Sequence, residues 1–466
     1  MMGNMIGVGI FIYPVLIASK LPHPIWFLIV WILGGLIALT GALSSAELGI
    51  FFPEAGGDYA YLRNMYGKRW AFLYGFLTFF ITFPGSIAIG VGLTLHYQGA
   101  SILGNWVNNI FFSSPILEVK YYQLLACIII ILLTIVNHFG IHSAFFVQKL
   151  VTLGPVVFLI FISLVAIFFI QWDLVWNGLA SSILSQNMSI PFEFPSPLEL
   201  ATALVPVYWT FSGWNSPLAL GAEIQNPEKV IPKTMILGPV IVTFIYLLFS
   251  FVFICLIPYL DFKEGKIDPY IAIGQYMLTR IGIEEKNILE FLPKLMSLII
   301  FLIVIGNTNS CIISGSRIYV AMARDELFWE KVGYIDPVKK SPTVSIWLQS
   351  LWAILLLLFI SKESNLLNFS FIAITFLSVM TIFSVFLIRL KKIQIAKLYK
   401  TYGYPFTPIV YISSSLFILL LIIISYINEK KFSIIFSAVF SILLGLIGYE
   451  IWKKYSHFKT KEKTIF

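Results

Sequence analysis

Charged residues are unusually scarce in this 466-residue chain. Asp, Glu, Lys and Arg make up 12% of the residues, whereas 59% are hydrophobic, and the mean hydropathy is +0.90. A soluble globular domain carries roughly twice that share of charged residues. The composition therefore excludes an ordinary soluble protein and predicts an all-α integral membrane protein whose chain crosses the bilayer many times.

Cysteine is also scarce, and the residue patterns of most enzymes are missing. The three cysteines, Cys127, Cys255 and Cys311, lie in apolar segments, where they are expected as small buried side chains without disulfides. Loop 97–120 has no cysteine, so no disulfide-linked heavy chain is expected. The five histidines have no metal-ligand spacing, and no nucleophile triad, phosphate loop or dinucleotide motif occurs. We therefore expect neither an enzyme, nor a cofactor, nor an ATP-driven pump.

The positive charge is concentrated in short loops. A net charge of +8 is compatible with nucleic-acid binding, but basic residues placed between apolar spans are typical of cytoplasmic loops. With the N-terminus inside, 21 of the 31 Lys and Arg residues fall on the inner side. The positive-inside rule then predicts a multi-pass protein of the inner (plasma) membrane with both termini in the cytoplasm and no nucleic-acid partner.

A spanning helix needs about 20 apolar residues, and the chain has twelve such stretches. We expect a single transmembrane domain over residues 1–466, with repeats over about 1–170 and 198–389, two further helices over about 406–452 and a basic tail at 453–466. The predicted spans are 1–20, 26–49, 70–96, 121–139, 145–170, 198–221, 234–258, 291–316, 343–360, 366–389, 406–427 and 433–452.

Two glycine-centred breaks, Gly7-Val8-Gly9 and Ser212-Gly213, interrupt the first and sixth spans. Lipid cannot satisfy the backbone groups that such breaks release, so breaks at membrane depth line a cavity or bind a ligand. Paired breaks in corresponding halves of a chain indicate the substrate site of a secondary transporter. For the first break, where only six residues precede Gly7, a Gly-xxx-Gly packing face formed by Gly3 and Gly7 is the alternative.

Four ordered sequence blocks resemble the amino acid/polyamine/organocation superfamily, and in particular bacterial amino acid permeases. Residues 207–217 read VYWTFSGWNSP and are followed by GAEIQNPEKVIP at 221–232. This pair resembles the sixth helix of the family and the loop behind it. Together with GNMIGVGIF at 3–11, FPEAGGDYAYLR at 52–63 and SRIYVAMARD at 316–325, the match extends from residue 3 to about residue 345.

The resemblance implies a core of five-plus-five inverted repeats, in which discontinuous helices 1 and 6 hold an amino acid and move against a scaffold of helices 3, 4, 8 and 9. Backbone groups of the first break would bind the α-carboxylate, carbonyls of the second would bind the α-ammonium, and Trp209 would cover the substrate. A lipid-facing position or core packing is the alternative for Trp209 and Trp214. The candidate substrate-binding residues are Met5, Ile6, Gly7, Val8, Gly9, Trp209, Thr210, Phe211, Ser212, Gly213 and Trp214.

Departures from the family pattern bear on coupling. Val8 stands where many members have serine, and Pro155 stands where a lysine often takes the place of a coupling sodium ion. Glu47 and Glu199 fall near helix ends, where solvent is expected to reach their side chains. A structural role, as a helix cap or in pairing with a loop, is therefore favoured for both. Because almost no ionisable group lies at depth, we expect a neutral substrate and exchange or facilitated flow. Proton or sodium coupling, the latter through Thr308 or Ser310, is the alternative.

Two polar clusters have structural alternatives. Residues 307–310 of the eighth span are expected mainly in hydrogen bonds between helices, with a site role as the alternative. Two loop motifs are expected to lock gating loops: Gly56-Gly57-Asp58-Tyr59 and Arg324-Asp325. Solvated loop structure without a gating role is the alternative.

The chain as a whole is predicted to transport amino acids by alternating access. The rival hypotheses are an amino acid sensor and a transport-deficient truncated permease.

Overall fold

The computed structural model describes residues 1–114, 117–170, 172, 182–266, 269–282, 286–359, 363–391 and 399–465. Within these residues the protein is all-α apart from one antiparallel hairpin, in which β1 (Ile110–Ser113) pairs with β2 (Glu118–Lys120). Nine of the described helices are long and apolar enough to cross a membrane, and two further apolar helices are shorter.

Each predicted span contains a helix, and most helix ends lie within a few residues of the prediction. Two spans are interrupted: the first contains α1 and α2, and in the sixth α10 is followed by short 3₁₀ turns, Ser216–Ala219 and Gly221–Glu223. A π-helical turn, Thr78–Thr82, joins α5 to α6. The helices are α1 (Met2–Met5), α2 (Gly9–Ser19), α3 (Pro24–Phe51), α4 (Asp58–Tyr66), α5 (Lys68–Leu77), α6 (Phe83–Leu103), α7 (Tyr121–His138), α8 (Ile141–Phe168), α9 (Ile183–Met188), α10 (Pro197–Phe211), α11 (Pro227–Leu256), α12 (Tyr259–Lys263), α13 (Pro269–Ile281), α14 (Lys286–Arg324), α15 (Thr343–Phe359), α16 (Glu363–Leu390), α17 (Phe406–Asn428) and α18 (Phe432–Ile465).

The largest core surrounds the two broken helices. It joins α2 and α10 to α3 and α11, the long helices that follow each break in sequence. These helices approach closely because small residues line their contact. A Cβ on Gly35 of α3 would lie 2.2 Å from Oγ1 of Thr243 in α11, and one on Gly34 would lie 2.3 Å from a methyl of Val207 in α10. Larger residues at these two positions would force the helices apart.

A separate core unites the four helices that the sequence assigns to the scaffold. Side chains of α6, α7, α14 and α15, among them Ile87, Ile130, Ile312 and Ile346, pack together in one cluster. A third cluster holds α4 and α5 against the end of α14 and against α16 and α18. Helix α14 contributes side chains to all three clusters.

The two glutamates differ in environment. Glu199 lies exposed in the first turn of α10 and forms a capping box with Ser196, which confirms the capping interpretation. The prediction of solvent access was wrong for Glu47, whose side chain is 1% exposed. Its Oε2 accepts hydrogen bonds from Arg389 at 2.9 Å and from the backbone N–H and the hydroxyl of Thr401 at 2.8 and 2.6 Å. Arg389 of α16 and Thr401, both distant in sequence, pair with the buried Glu47.

Replacing Glu47 by leucine should destabilise the protein. The change leaves the Arg389 guanidinium beside a buried apolar group, and breaking a buried ion pair costs about 3–5 kcal/mol. We expect a clearly lower Tm for Glu47→Leu in detergent. The matched control is Glu118→Leu, because Glu118 forms an exposed pair with Lys120, which contributes about 1 kcal/mol or less. Equal Tm values for the two variants would contradict a stabilising buried ion pair between Glu47 and Arg389.

Candidate functional site

The two helix breaks lie side by side. Helix α1 ends at Met5, Ile6 is extended (φ −83°, ψ 92°), and α2 begins at Gly9. Helix α10 ends at Phe211, and Gly213 adopts φ +94°. A Cβ on Gly213 would lie 3.0 Å from the carbonyl oxygen of Asn4, and one on Gly9 would lie 2.7 Å from Oγ1 of Thr210. The glycines therefore allow the two breaks to touch.

Side chains from two other helices satisfy carbonyls that the breaks release. Nδ2 of Asn307, in α14, donates to the carbonyls of Gly3 and Asn4 at 3.1 and 2.9 Å. The Tyr246 hydroxyl, in α11, lies 2.8 Å from the carbonyl oxygen of Met5 and 3.2 Å from that of Thr210. Tyr246 thus bridges both breaks, in keeping with the rule that helix-end carbonyls need partners. The sequence carries no signal for it, because it is one tyrosine in an apolar span.

A cavity of about 180 Å³ opens where the breaks meet, bounded also by α5, α6, the π-helical turn, α14 and α16. Eight of the eleven candidate residues line it. No charged side chain lines the cavity within the described part of the chain. The eight are Met5, Gly7, Val8, Gly9, Trp209, Thr210, Ser212 and Gly213.

The other three candidates do not line the cavity, and their side chains pack elsewhere. Ile6 is 1% exposed and belongs to the main core. Phe211 packs against Trp31 and Tyr246, with ring centroids 6.2 and 5.1 Å away. Trp214 packs edge-on against Tyr411 at 5.9 Å, as the packing alternative for this residue predicts. An irregular backbone turns neighbouring side chains in directions that no helical or strand period predicts.

Residues beyond the eleven candidates complete the cavity, and the sequence analysis singled out only some of them. Asn307 belongs to the predicted polar cluster, and it both lines the cavity and bonds to α1. Asn309 bonds to Asn137 of α7 at 2.6 Å and to Gln148 of α8 at 2.9 Å, so the interhelical interpretation is confirmed for it. The polar or sulfur-bearing lining residues beyond the candidates include Asn4, Tyr13, Tyr74, Thr78, Thr82, Ser86, Asn215, Ser216, Asn307 and Cys311.

The loop before α4 is docked on the segment that follows the second break. The Gly56 N–H donates to the carbonyl of Ala219 at 3.0 Å. From α4, the Tyr59 hydroxyl donates to Oδ2 of Asp325 at 2.8 Å, and Arg63 pairs with Asp325 at 2.7 Å. Asp58 and Tyr59 are buried, so the solvated-loop alternative does not hold for them. The loop and α4 thus connect the second break to the end of α14.

The whole chain also resembles known proteins. The profile of the family described as "Amino acid permease" matches residues 1–448, nearly the whole chain. The chain belongs to this family. It is 29% identical to the serine/threonine exchanger SteT of Bacillus subtilis over 452 residues, which cover 97% of this chain and 93% of SteT.

Two mouse relatives are named as amino acid transporters as well. The permease is 26% identical to the b(0,+)-type amino acid transporter 1 over 97% of its own length and 86% of that protein. It is 27% identical to the large neutral amino acids transporter small subunit 2 over 79% of its own length and 64% of that protein. The resemblance found in the sequence is confirmed: the permease is a multi-pass membrane protein that transports amino acids and is not an enzyme.

Proposed function

We propose that the permease exchanges neutral amino acids across the plasma membrane by alternating access, with the cavity between the two breaks as its substrate site. The observation that carries this proposal is a cavity at the meeting point of two broken helices, lined in the described structure by backbone, hydroxyl, amide and aromatic groups without a charged side chain. The proposal includes twelve spans, two inverted repeats of five helices and cytoplasmic termini.

Backbone groups of the two breaks would bind the ends of the amino acid. The first N–H groups of α2 have no intrahelical acceptor, and the positive end of the helix dipole favours a carboxylate there. Val8 has no hydroxyl to add, so these N–H groups would hold the carboxylate. The carbonyl end of α10, next to Ser212, suits the ammonium group because the helix dipole is negative there.

The size and lining of the cavity favour a neutral side chain. An apolar cavity of about 150 Å³ in another protein holds benzene, so about 180 Å³ accommodates the side chain of a neutral amino acid. A dibasic substrate would bring a second cation, which needs a carboxylate when buried. The serine/threonine and large-neutral specificities in the names of two relatives agree with this substrate class.

Exchange follows from the groups that the site lacks. Pro155 lies buried inside α8 where a lysine often stands in the family, and no carboxylate or basic side chain of the described residues lines the cavity. Without a charge there that changes during the cycle, an imposed proton gradient has no group in the described lining to act on. The empty transporter would return slowly, and counter-substrate would accelerate it.

Proteoliposomes test this proposal. Uptake of radiolabelled L-serine, L-leucine and L-arginine is compared between empty vesicles and vesicles preloaded with unlabelled L-serine. We expect preloading to raise uptake of a neutral amino acid several-fold and L-arginine uptake to stay at the level of protein-free vesicles. Concentrative uptake into empty vesicles that depends on a proton or sodium gradient would refute exchange and identify the ion. Binding without any counterflow would favour the sensor hypothesis.

A further inference from the structure

Asp58 is a buried carboxyl beside the substrate cavity. It is the first residue of α4 and is 4% exposed. Its Oδ2 accepts a hydrogen bond from Nδ2 of Asn215 at 2.6 Å. Its Oδ1 is buried as well, and among the described residues it has no hydrogen-bond partner. A buried carboxylate with one oxygen unpartnered is costly, so the charged form is poorly supported in this arrangement.

One side chain, Asn215, separates this carboxyl from the cavity. Asn215 lines the cavity, and so does Tyr74, whose hydroxyl lies near Asp58. Asn215 follows the second break directly. If the segment that follows Gly213 moves away from α4, the hydrogen bond between Asn215 and Asp58 breaks.

The loop and the segment dock through backbone as well as side chains. Ala55 and Leu220 form an isolated β-bridge. A Cβ on Gly57 would lie 3.0 Å from the backbone nitrogen of Ala219. Two backbones in such close contact exclude water from the carboxyl between them, and their separation would admit it.

The groups facing Asp58 from the packed elements are neutral. They are Tyr61 on α4, Tyr74 on α5 and Tyr411 on α17. No ion pair to Asp58 occurs among the described side chains, and the guanidinium groups of this region pair elsewhere. Arg317 bonds to Glu223 at 2.9 Å, and Arg63 pairs with Asp325 and Glu54. The charge of Asp58 has no counter-ion while the loop is docked.

Burial raises the pKa of Asp58 from 3.8 to about 6, although the hydrogen bond from Asn215 and the nearby Tyr74 hydroxyl lower it in part. Water reaching the carboxyl would return this pKa towards its ordinary value. The docked form thus binds a proton more tightly than the open form. Acid stabilises the docked form as the pH falls through about 6, and this stabilisation is lost as the pH rises through it.

We propose that Asp58 is a proton-sensitive latch on the substrate cavity, protonated while the loop 55–58 is docked on residues 215–220 and ionised once that segment moves away. This inference rests on the proposed exchange function and adds its regulation. The proton comes from the water on one face of the membrane and returns to the same face. The latch therefore changes the rate of exchange without coupling transport to a proton gradient.

Exchange measured at equal pH inside and outside the vesicles tests the latch without any assumption about orientation. Exchange of L-serine by the wild-type permease should slow as the pH falls through about 6, by at most about tenfold per pH unit for one proton. Asp58→Asn keeps the shape of the side chain and is neutral at every pH. Its exchange should be slow and independent of pH between about 5 and 8. The control is Asp261→Asn, an exposed carboxylate near Lys266, which should keep the wild-type profile.

A second variant keeps the proposal testable if Asp58→Asn fails to fold. Asn215→Ser removes the donor at 2.6 Å that stabilises the carboxylate, so the midpoint of the pH profile should move to higher pH. A wild-type profile in Asp58→Asn, or a wild-type permease whose exchange ignores pH, overturns the latch. Wild-type permease that shows no exchange at any pH refutes the proposed function instead.

Discussion

Replacing Gly213 by alanine should weaken amino acid binding. Gly213 adopts φ +94°, and its added Cβ would lie 2.9 Å from the Cβ and 3.0 Å from the carbonyl oxygen of Asn4 in the first break. A left-handed backbone costs an L-residue about 1–2 kcal/mol, and the contact with Asn4 adds to that cost. We expect calorimetry with L-serine to show affinity reduced by at least about tenfold, since tenfold corresponds to about 1.4 kcal/mol.

Two other glycines separate strain from contact. Gly67 has φ +92° and Gly154 lies within α8, and neither has an atom within 4 Å of an added Cβ. Gly67→Ala therefore carries the backbone strain without the collision, and Gly154→Ala carries neither. Both should bind L-serine as the wild type does, with a lower Tm for Gly67→Ala only. Monodisperse Gly213→Ala that binds as tightly as Gly67→Ala would contradict a site at the breaks.

Replacing Trp209 by leucine should strongly reduce amino acid exchange. Trp209 is half-buried and lines the cavity. Its ring packs against that of Phe371, with the two ring centroids 6.2 Å apart. Its indole N–H is buried and has no hydrogen-bond partner within the described residues. Leucine removes that donor and much of the aromatic area over the cavity, which is worth about 1–3 kcal/mol. We expect KM to rise by about tenfold.

Matched variants show whether this loss belongs to the site. Trp209→Phe keeps an aromatic ring without the N–H and should fall between leucine and the wild type. Trp106→Leu changes an exposed indole in the turn after α6 and should leave exchange unaltered. Membrane content of the protein should stay constant across the series, because none of these changes buries a charge. Wild-type kinetics in Trp209→Leu would refute the covering role.

The sequence by itself determined the helices and the places where they break. A spanning helix is a local property, because about 20 consecutive apolar residues suffice to define it. The predicted spans 26–49 and 406–427 accordingly match Pro24–Phe51 and Phe406–Asn428 closely. The breaks were equally readable, since the glycines that permit them lie within the segments concerned. The four motif blocks were enough to identify the family, which the comparisons confirm.

The tertiary structure alone decided which side chains meet. Tyr246 reaches Met5 across 241 residues, Asn215 reaches Asp58 across 157, and Arg389 reaches Glu47 across 342. Burial at such points depends on segments distant in the chain, so the sequence placed Glu47 in solvent and gave no sign that Asp58 is enclosed. The same holds for Trp214, which the break turns towards Tyr411. Local hydrophobicity predicts where a chain crosses a membrane, whereas the environment of each side chain is set by what packs over it.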